Sequence, residues 1–333
     1  MADQPDEPGQ PEQPEILQRL EQELLGGPRT YTRTEVAERA GVPLARAERL
    51  WRSLGFASTA DDDVVFGDRD VEALATIAAI VDKGVVRPES EASVARSLGQ
   101  VMARLADWQT SLLSDFDSLE AVSDDVADAT VQVAGDLVPM IESLQSYVWR
   151  RHLVAAAARV LPVAADDPAS DTMVAGFADI VGFTSLSRST SEAELADLVE
   201  RFESVTAGVI AEHGGRVVKT IGDEVLFVVR TPDRAARIAL ALNRWQSDED
   251  DIPALRIGMA YGRVISWLGD VYGPIVNVAS RLTSVARPGT VLVDRDLATA
   301  LQDDETCSLR RLRRVSVRGY SRLEPWALRP TSD

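Results

Sequence analysis

The hydrophobic period of this chain changes once, and that change decides what it can fold into. From Ile16 to about Val163 apolar residues recur at spacings of three and four, with breaks at Gly26-Gly27-Pro28, Gly41-Val42-Pro43 and Arg87-Pro88. This is the pattern of consecutive amphipathic helices. After Asp171 short apolar runs alternate with helical stretches, the mark of a mixed α+β unit. Between the two, Ala164 to Asp171 is polar and turn-forming, with Asp166, Asp167 and Pro168 at its centre. Ahead of the first helix, residues 2–15 place Pro5, Pro8, Pro11 and Pro14 among Asp, Glu and Gln, a composition that cannot bury a core. The sequence therefore predicts a disordered acidic tail over 1–15, an all-helical domain over 16–163, a linker over 164–171 and an α+β domain over 172–333.

Within the α+β domain the spacing predicts a strand over Met173 to Phe177, a long helix over Glu192 to His213, and two strands within Arg216 to Val229 around Gly222-Asp223. A helix over Asp233 to Trp245, strands over Ala254 to Ala260 and Arg263 to Leu268, and a helix over Ile275 to Val285 follow, with short strands near Val291 and after Leu312. Strand-helix-strand-strand-helix-strand with additions is a ferredoxin-like order, expected to give a sheet covered by helices on one face.

Charge and cysteine content narrow the setting. Asp plus Glu outnumber Lys plus Arg by 53 to 35, and a formal charge of −18 repels nucleic acid and anionic membranes. Cys307 is the single cysteine and cannot form an intrachain disulfide, and no basic segment followed by an apolar core opens the chain. The apolar run from Leu153 to Ala165 is interrupted by Arg159 and Pro162 and falls short of the roughly 20 residues needed to cross a bilayer. The expectation is a cytoplasmic protein with no membrane span and no affinity for nucleic acid.

Six residues in the second half suggest chemistry. Asp179 follows the first apolar strand, and Asp223 sits in the turn of the next hairpin. Each alone reads as a turn or cap residue. If the two segments are neighbouring strands, both carboxylates reach one sheet edge, where hard oxygen donors suit Mg²⁺ or Mn²⁺ shared with substrate phosphates. Asn277 and Arg281 lie four apart on a helix and so share a face, an amide beside a guanidinium that suits a ribose and a phosphoryl group in flight. Lys219 and Asp270 offer one donor and one acceptor, able in principle to read a purine edge.

Taken together, the segments Phe177-Ala-Asp-Ile-Val-Gly-Phe-Thr184, Lys219-Thr-Ile-Gly-Asp-Glu224 and Asp270-Val-Tyr-Gly-Pro-Ile-Val-Asn-Val-Ala-Ser-Arg-Leu282 closely resemble the three signature blocks of class III nucleotidyl cyclases, a match spanning roughly Asp171 to Leu328. The resemblance implies that Asp179 and Asp223 bind two Mg²⁺ or Mn²⁺ ions per active site, that Lys219 and Asp270 select the purine, and that Asn277 and Arg281 position the ribose and stabilise the transition state. Lysine donates to adenine N1 and aspartate accepts from the 6-amino group, whereas guanine presents the opposite pattern, so ATP is the expected substrate. Arg318 is implied to meet the terminal phosphates. Members of this family build the site between two catalytic domains, so a chain holding all six residues implies a twofold homodimer. Two alternatives stand beside this one. Gly222-Asp223-Glu224 echoes the signature of diguanylate cyclases, although Ile221 and Val225 depart from it, and a DNA-binding regulator could keep a degenerate cyclase domain as a nucleotide sensor.

The helical half carries two weaker signals. Thr32 to Phe56 has the form of a helix-turn-helix, with a Thr cap, a Gly41-Val42-Pro43 turn, and Arg46, Arg49 and Arg52 on its second helix, able to face phosphates. The region from Tyr31 to Val163, with its Trp149-Arg150-Arg151-His152 segment, resembles the helical regulatory domain of some actinobacterial cyclases that respond to pH. That resemblance implies a regulatory role for His152, crowded by Arg150 and Arg151, because histidine titrates in the range such a switch requires. His213 is expected only to end a helix.

Overall fold

The computed structural model describes residues 13–114, 126–160, 172–248, 252–317 and 320–331. Contacts divide the chain into two units, Met1–Pro162 and Val163–Asp333. Residues 1–12 of the expected tail and the expected linker at 164–171 lie outside the described residues.

The first unit is helical: α1 (Gln13–Leu25), α2 (Arg33–Arg39), α3 (Leu44–Leu54), α4 (Asp68–Asp82), α5 (Glu91–Ser114) and α6 (Val126–Val160). Thr32 caps α2 in a reciprocal box with Glu35, satisfying amides that the first turn leaves unpaired. Val36, Ala37, Ala47, Leu50 and Leu74 form the buried centre. α2, the Gly41-Val42-Pro43 turn and α3 make the expected helix-turn-helix, but its arginines are not a free phosphate-facing row. Arg46 donates to the buried Glu91 at the start of α5, at 2.6 and 3.0 Å. Arg49 and Arg52 donate to the carbonyls of Ala45 and Glu48 on their own helix.

The second unit runs β1 (Thr172–Ile180), α7 (Phe183–Leu186), α8 (Glu192–Glu212), β2 (Arg216–Ile221), β3 (Glu224–Val229), α9 (Pro232–Asp248), β4 (Leu255–Arg263), β5 (Ile265–Trp267), β6 (Asp270–Tyr272), α10 (Pro274–Val285), β7 (Thr290–Val293), α11 (Arg295–Ala300), β8 (Cys307–Arg311), β9 (Val315–Val317), β10 (Tyr320–Leu323) and β11 (Trp326–Pro330). The main sheet has the order β2-β3-β1-β4-β7-β11-β8. Its first four strands are the ferredoxin-like arrangement, antiparallel throughout, and β7 extends them by pairing parallel to β4.

Alternation along the central strands sends side chains to two separate cores. Val174, Ala178, Val225, Phe227, Ile257 and Met259 pack under α8 and α9. Ala175, Phe177, Leu226, Val228 and Ala260 pack on the opposite side, against Ala279 of α10. The expectation of helices on one face is thus corrected. β1 and β3 are apolar on both sides, and an uncovered second face would leave that surface in water.

α10 lies unusually close to the sheet because β4 carries Gly258 beneath it. A Cβ there would meet the Thr283 amide nitrogen at 2.2 Å and the Ala279 carbonyl at 2.5 Å. Gly258→Ala is expected to push α10 outward and cost about 1–3 kcal/mol, as overpacking of a core does. Gly208 in α8 has open space around it, so Gly208→Ala is expected to stabilise by roughly 0.5–1 kcal/mol through helix propensity. Urea unfolding of the two variants should separate in opposite directions from the parent protein.

Candidate active site

The pairing of β1 fixes the centre of the site. Asp179 stands opposite Glu224 of β3 on one side and Arg256 of β4 on the other. Side chains directly across antiparallel strands share a face, so three charged groups meet at the end of an otherwise apolar sheet. Arg256 donates to one Asp179 oxygen from Nε at 2.9 Å and again from Nη2. Asp223 enters from the β2–β3 turn, where Gly222 adopts φ 64°. The Asp223 carbonyl accepts the Ile180 amide at 3.1 Å, which ties this turn to the end of β1 and brings the second carboxylate beside the first.

Crowding of carboxylates sets their acidity. Burial pushes the Asp179 carboxyl above its usual range and Asp223 adds to the rise, while Arg256 opposes both. Glu224 is pushed up to about 7, first by burial and then by the negative charges of Asp179 and Asp223. Adjacent hard carboxylates fit a divalent cation, which would relieve their mutual repulsion. Among the described residues no group of three or more His, Cys, Asp or Glu forms a cage for a metal. The donor set is therefore of the kind in which substrate phosphates and water complete the coordination.

The remaining expected residues fall into two further groups. Lys219 and Asp270 are together, Nζ to Oδ2 at 2.5 Å, joining β2 to β6. Burial works to raise the Asp270 pKa, but the Lys219 ammonium, the Val271 amide and Tyr272 outweigh it and hold the carboxyl below its usual value. Asn277 and Arg281 lie on α10. At about 100° per residue they point opposite to Ala279, Leu282 and Thr283, which the helix buries against the sheet. Both therefore face away from the sheet that carries the aspartates of the same chain. Arg318 lies outside the described residues. His152 is exposed on α6. Its neighbours Arg150 and Arg151 are exposed on the same helix.

Glu224 and Arg256 were not singled out from the sequence. Each had a signal: Glu224 follows Asp223 directly and opens a buried strand, and Arg256 interrupts the apolar run Leu255 to Ala260.

Residues 166–330 match the adenylate and guanylate cyclase catalytic domain. Over 326 residues the chain is 42% identical to an adenylate cyclase of Glutamicibacter nicotianae, covering 93% of this chain and 81% of that one. It is 42% identical to an adenylate cyclase of Streptomyces coelicolor, covering 85% and 74% of the two chains. It is 31% identical to a pH-sensitive adenylate cyclase of Mycobacterium tuberculosis, covering 85% and 73%. The chain belongs to the class III nucleotidyl cyclase family.

A carboxyl whose pKa rises on folding takes up a proton as the chain folds. Without divalent cation, the Glu224 contribution should therefore destabilise the fold progressively as pH climbs from about 4.5 to about 7. Glu224→Gln is expected to be the more stable protein at pH 8, by on the order of 1 kcal/mol once solvent screening of this half-buried group is allowed for, and equal to the parent near pH 4. Chemical denaturation in EDTA at both pH values checks the divergence.

Proposed function

We propose that this protein is an adenylate cyclase that converts ATP to 3′,5′-cyclic AMP and pyrophosphate, with two equivalent sites in a homodimer. The observation that carries the proposal is the division of the signature residues. Asp179 and Asp223 meet at one end of the sheet, whereas Asn277 and Arg281 project from the outer face of the helix covering that sheet. A substrate held by the aspartates of one chain is then completed by α10 of a second. Exposed Ile221, Ile265, Trp267, Leu268 and Tyr272 around the β2, β5 and β6 tips, beside Lys219 and Asp270, support self-association there.

In the reaction the ribose 3′-oxygen attacks the α-phosphorus, the bond to the β,γ-pyrophosphate breaks, and the hydroxyl proton leaves to solvent or a nearby base. Asp179 and Asp223 would hold the divalent ions, which when bound neutralise the polyphosphate and acidify the hydroxyl. Arg281 opposes the charge that builds on the phosphoryl oxygens, a stabilisation larger in the transition state than in the ground state. Asn277 orients the ribose. Lys219 and Asp270 exchange their mutual hydrogen bond for bonds to adenine N1 and the 6-amino group. Guanine would leave both unsatisfied, at about 1–3 kcal/mol each.

The same proposal gives the first unit a regulatory role, with the pH-sensitive relative as its support and His152 as the titrating group. His152→Ala is expected to flatten the activity profile between about pH 5.5 and 8. A flattening seen in Glu224→Gln instead would move the sensor into the catalytic domain.

Purified protein should form cyclic AMP from ATP and little cyclic GMP from GTP, and a linear or cyclic dinucleotide from GTP would favour the diguanylate alternative. Asp223→Ala should be inactive, and Arg281→Ala should lose about 10²–10³ in kcat. Equal mixing of the two inactive variants should restore about a quarter of parental activity, because half the dimers are mixed and each mixed dimer has one intact site. No recovery on mixing, with exchange of chains verified, overturns the shared site.

A further inference from the structure

The second unit holds a cleft that the cyclase reaction does not use. It has a volume of about 870 Å³ and opens between the C-terminal end of α10 and the face of strands β7, β11 and β8. Four guanidinium groups line it: Arg287 just after α10, Arg310 on β8, Arg313 after β8 and Arg329 on β11. No Asp or Glu lines it. Among the described residues none of the four has a carboxylate partner. The neighbouring Arg311 and Arg314 show the contrast, since both bond Glu324.

The lining is cationic in a chain that as a whole carries −18. The register explains how the charges converge. Arg310 stands opposite Ala327, and Ala327 opposite Leu292, so these groups share the face on which Arg329, two residues along β11, also lies. The floor is apolar, formed by Leu292 and Ala327 with Val315 beside them. Asn243 of α9 also lines the cleft. Arginine in a concave, partly apolar setting pairs with phosphate through two parallel hydrogen bonds.

We infer that this cleft is a second anion site, taking a small phosphate-bearing molecule. It is separate from the metal aspartates, and Val285, which lines it, lies one helical turn beyond Arg281 on α10. An occupant bridging Arg287 to Arg329 would fix the end of α10 against the sheet and so set where Asn277 and Arg281 stand. That coupling to turnover rests on the function proposed above; the binding does not.

The full chain in EDTA, where the carboxylate site has no metal to hold phosphate, is titrated with inorganic phosphate and with glycerol 3-phosphate by calorimetry. Both should bind. Arg287→Gln/Arg329→Gln should weaken binding at least about tenfold, while Arg295→Gln, an exposed arginine outside the cleft, should leave it unchanged. Melting temperature gives a second measure: ligand should raise it in the parent and not in the double variant, and the double variant without ligand should melt no lower than the parent, since like charges have been removed. Equal affinity in parent and double variant overturns the site. Loss of binding in Arg281→Ala overturns its separateness and makes the cleft part of the nucleotide site. Binding retained in the inactive Asp223→Ala, with cyclase activity failing in every form, would sustain the anion site while refuting the proposed reaction.

Discussion

The antiparallel pairing of β1 between β3 and β4 is the constraint on which this protein depends. It runs through nine consecutive residues on the β4 side, and a one-residue slip would exchange the side chains of its two buried faces. The same register that buries Ala175 and Phe177 places Asp179 between Glu224 and Arg256. Chemistry and core are therefore set by one decision. The carboxylates are crowded because the sheet is in register, and the register sorts the side chains of β1 into two different cores.

α10 illustrates how a small residue can serve a distant group. Gly258 contributes no side chain, and for that reason the helix backbone reaches the strand. The depth at which α10 sits decides how far Asn277 and Arg281 stand out from the surface. Gly176 plays a matching part on the other face, where the Phe227 ring occupies the space its Cβ would take. Two glycines in neighbouring central strands thus set the thickness of both layers.

Much of this was legible in the sequence, and the parts that were not have physical reasons. Periodicity placed α8, α9 and α10 within a few residues, and the three signature blocks supplied, by resemblance, the six positions on which the proposed function rests. The sheet's second covered face was missed because a short run such as Ala175 to Ala178 does not reveal which of its sides another element will cover. Glu224 and Arg256 were missed because their importance arises only when β1 pairs, which brings together residues 45 and 77 positions from Asp179 in the chain. Arg46 looked like a surface charge because its partner, Glu91, lies on another helix.

Arg256 leaves one further consequence. By donating twice to Asp179, it gives a half-buried carboxylate of the site a counter-charge that belongs to the chain itself. Proteins whose acidic clusters have only a metal for company fold and unfold with the supply of that metal. Here the polypeptide brings part of the counter-charge itself, so in the proposed enzyme a shortage of divalent ions would stop turnover while the Asp179 end of the sheet keeps its partner.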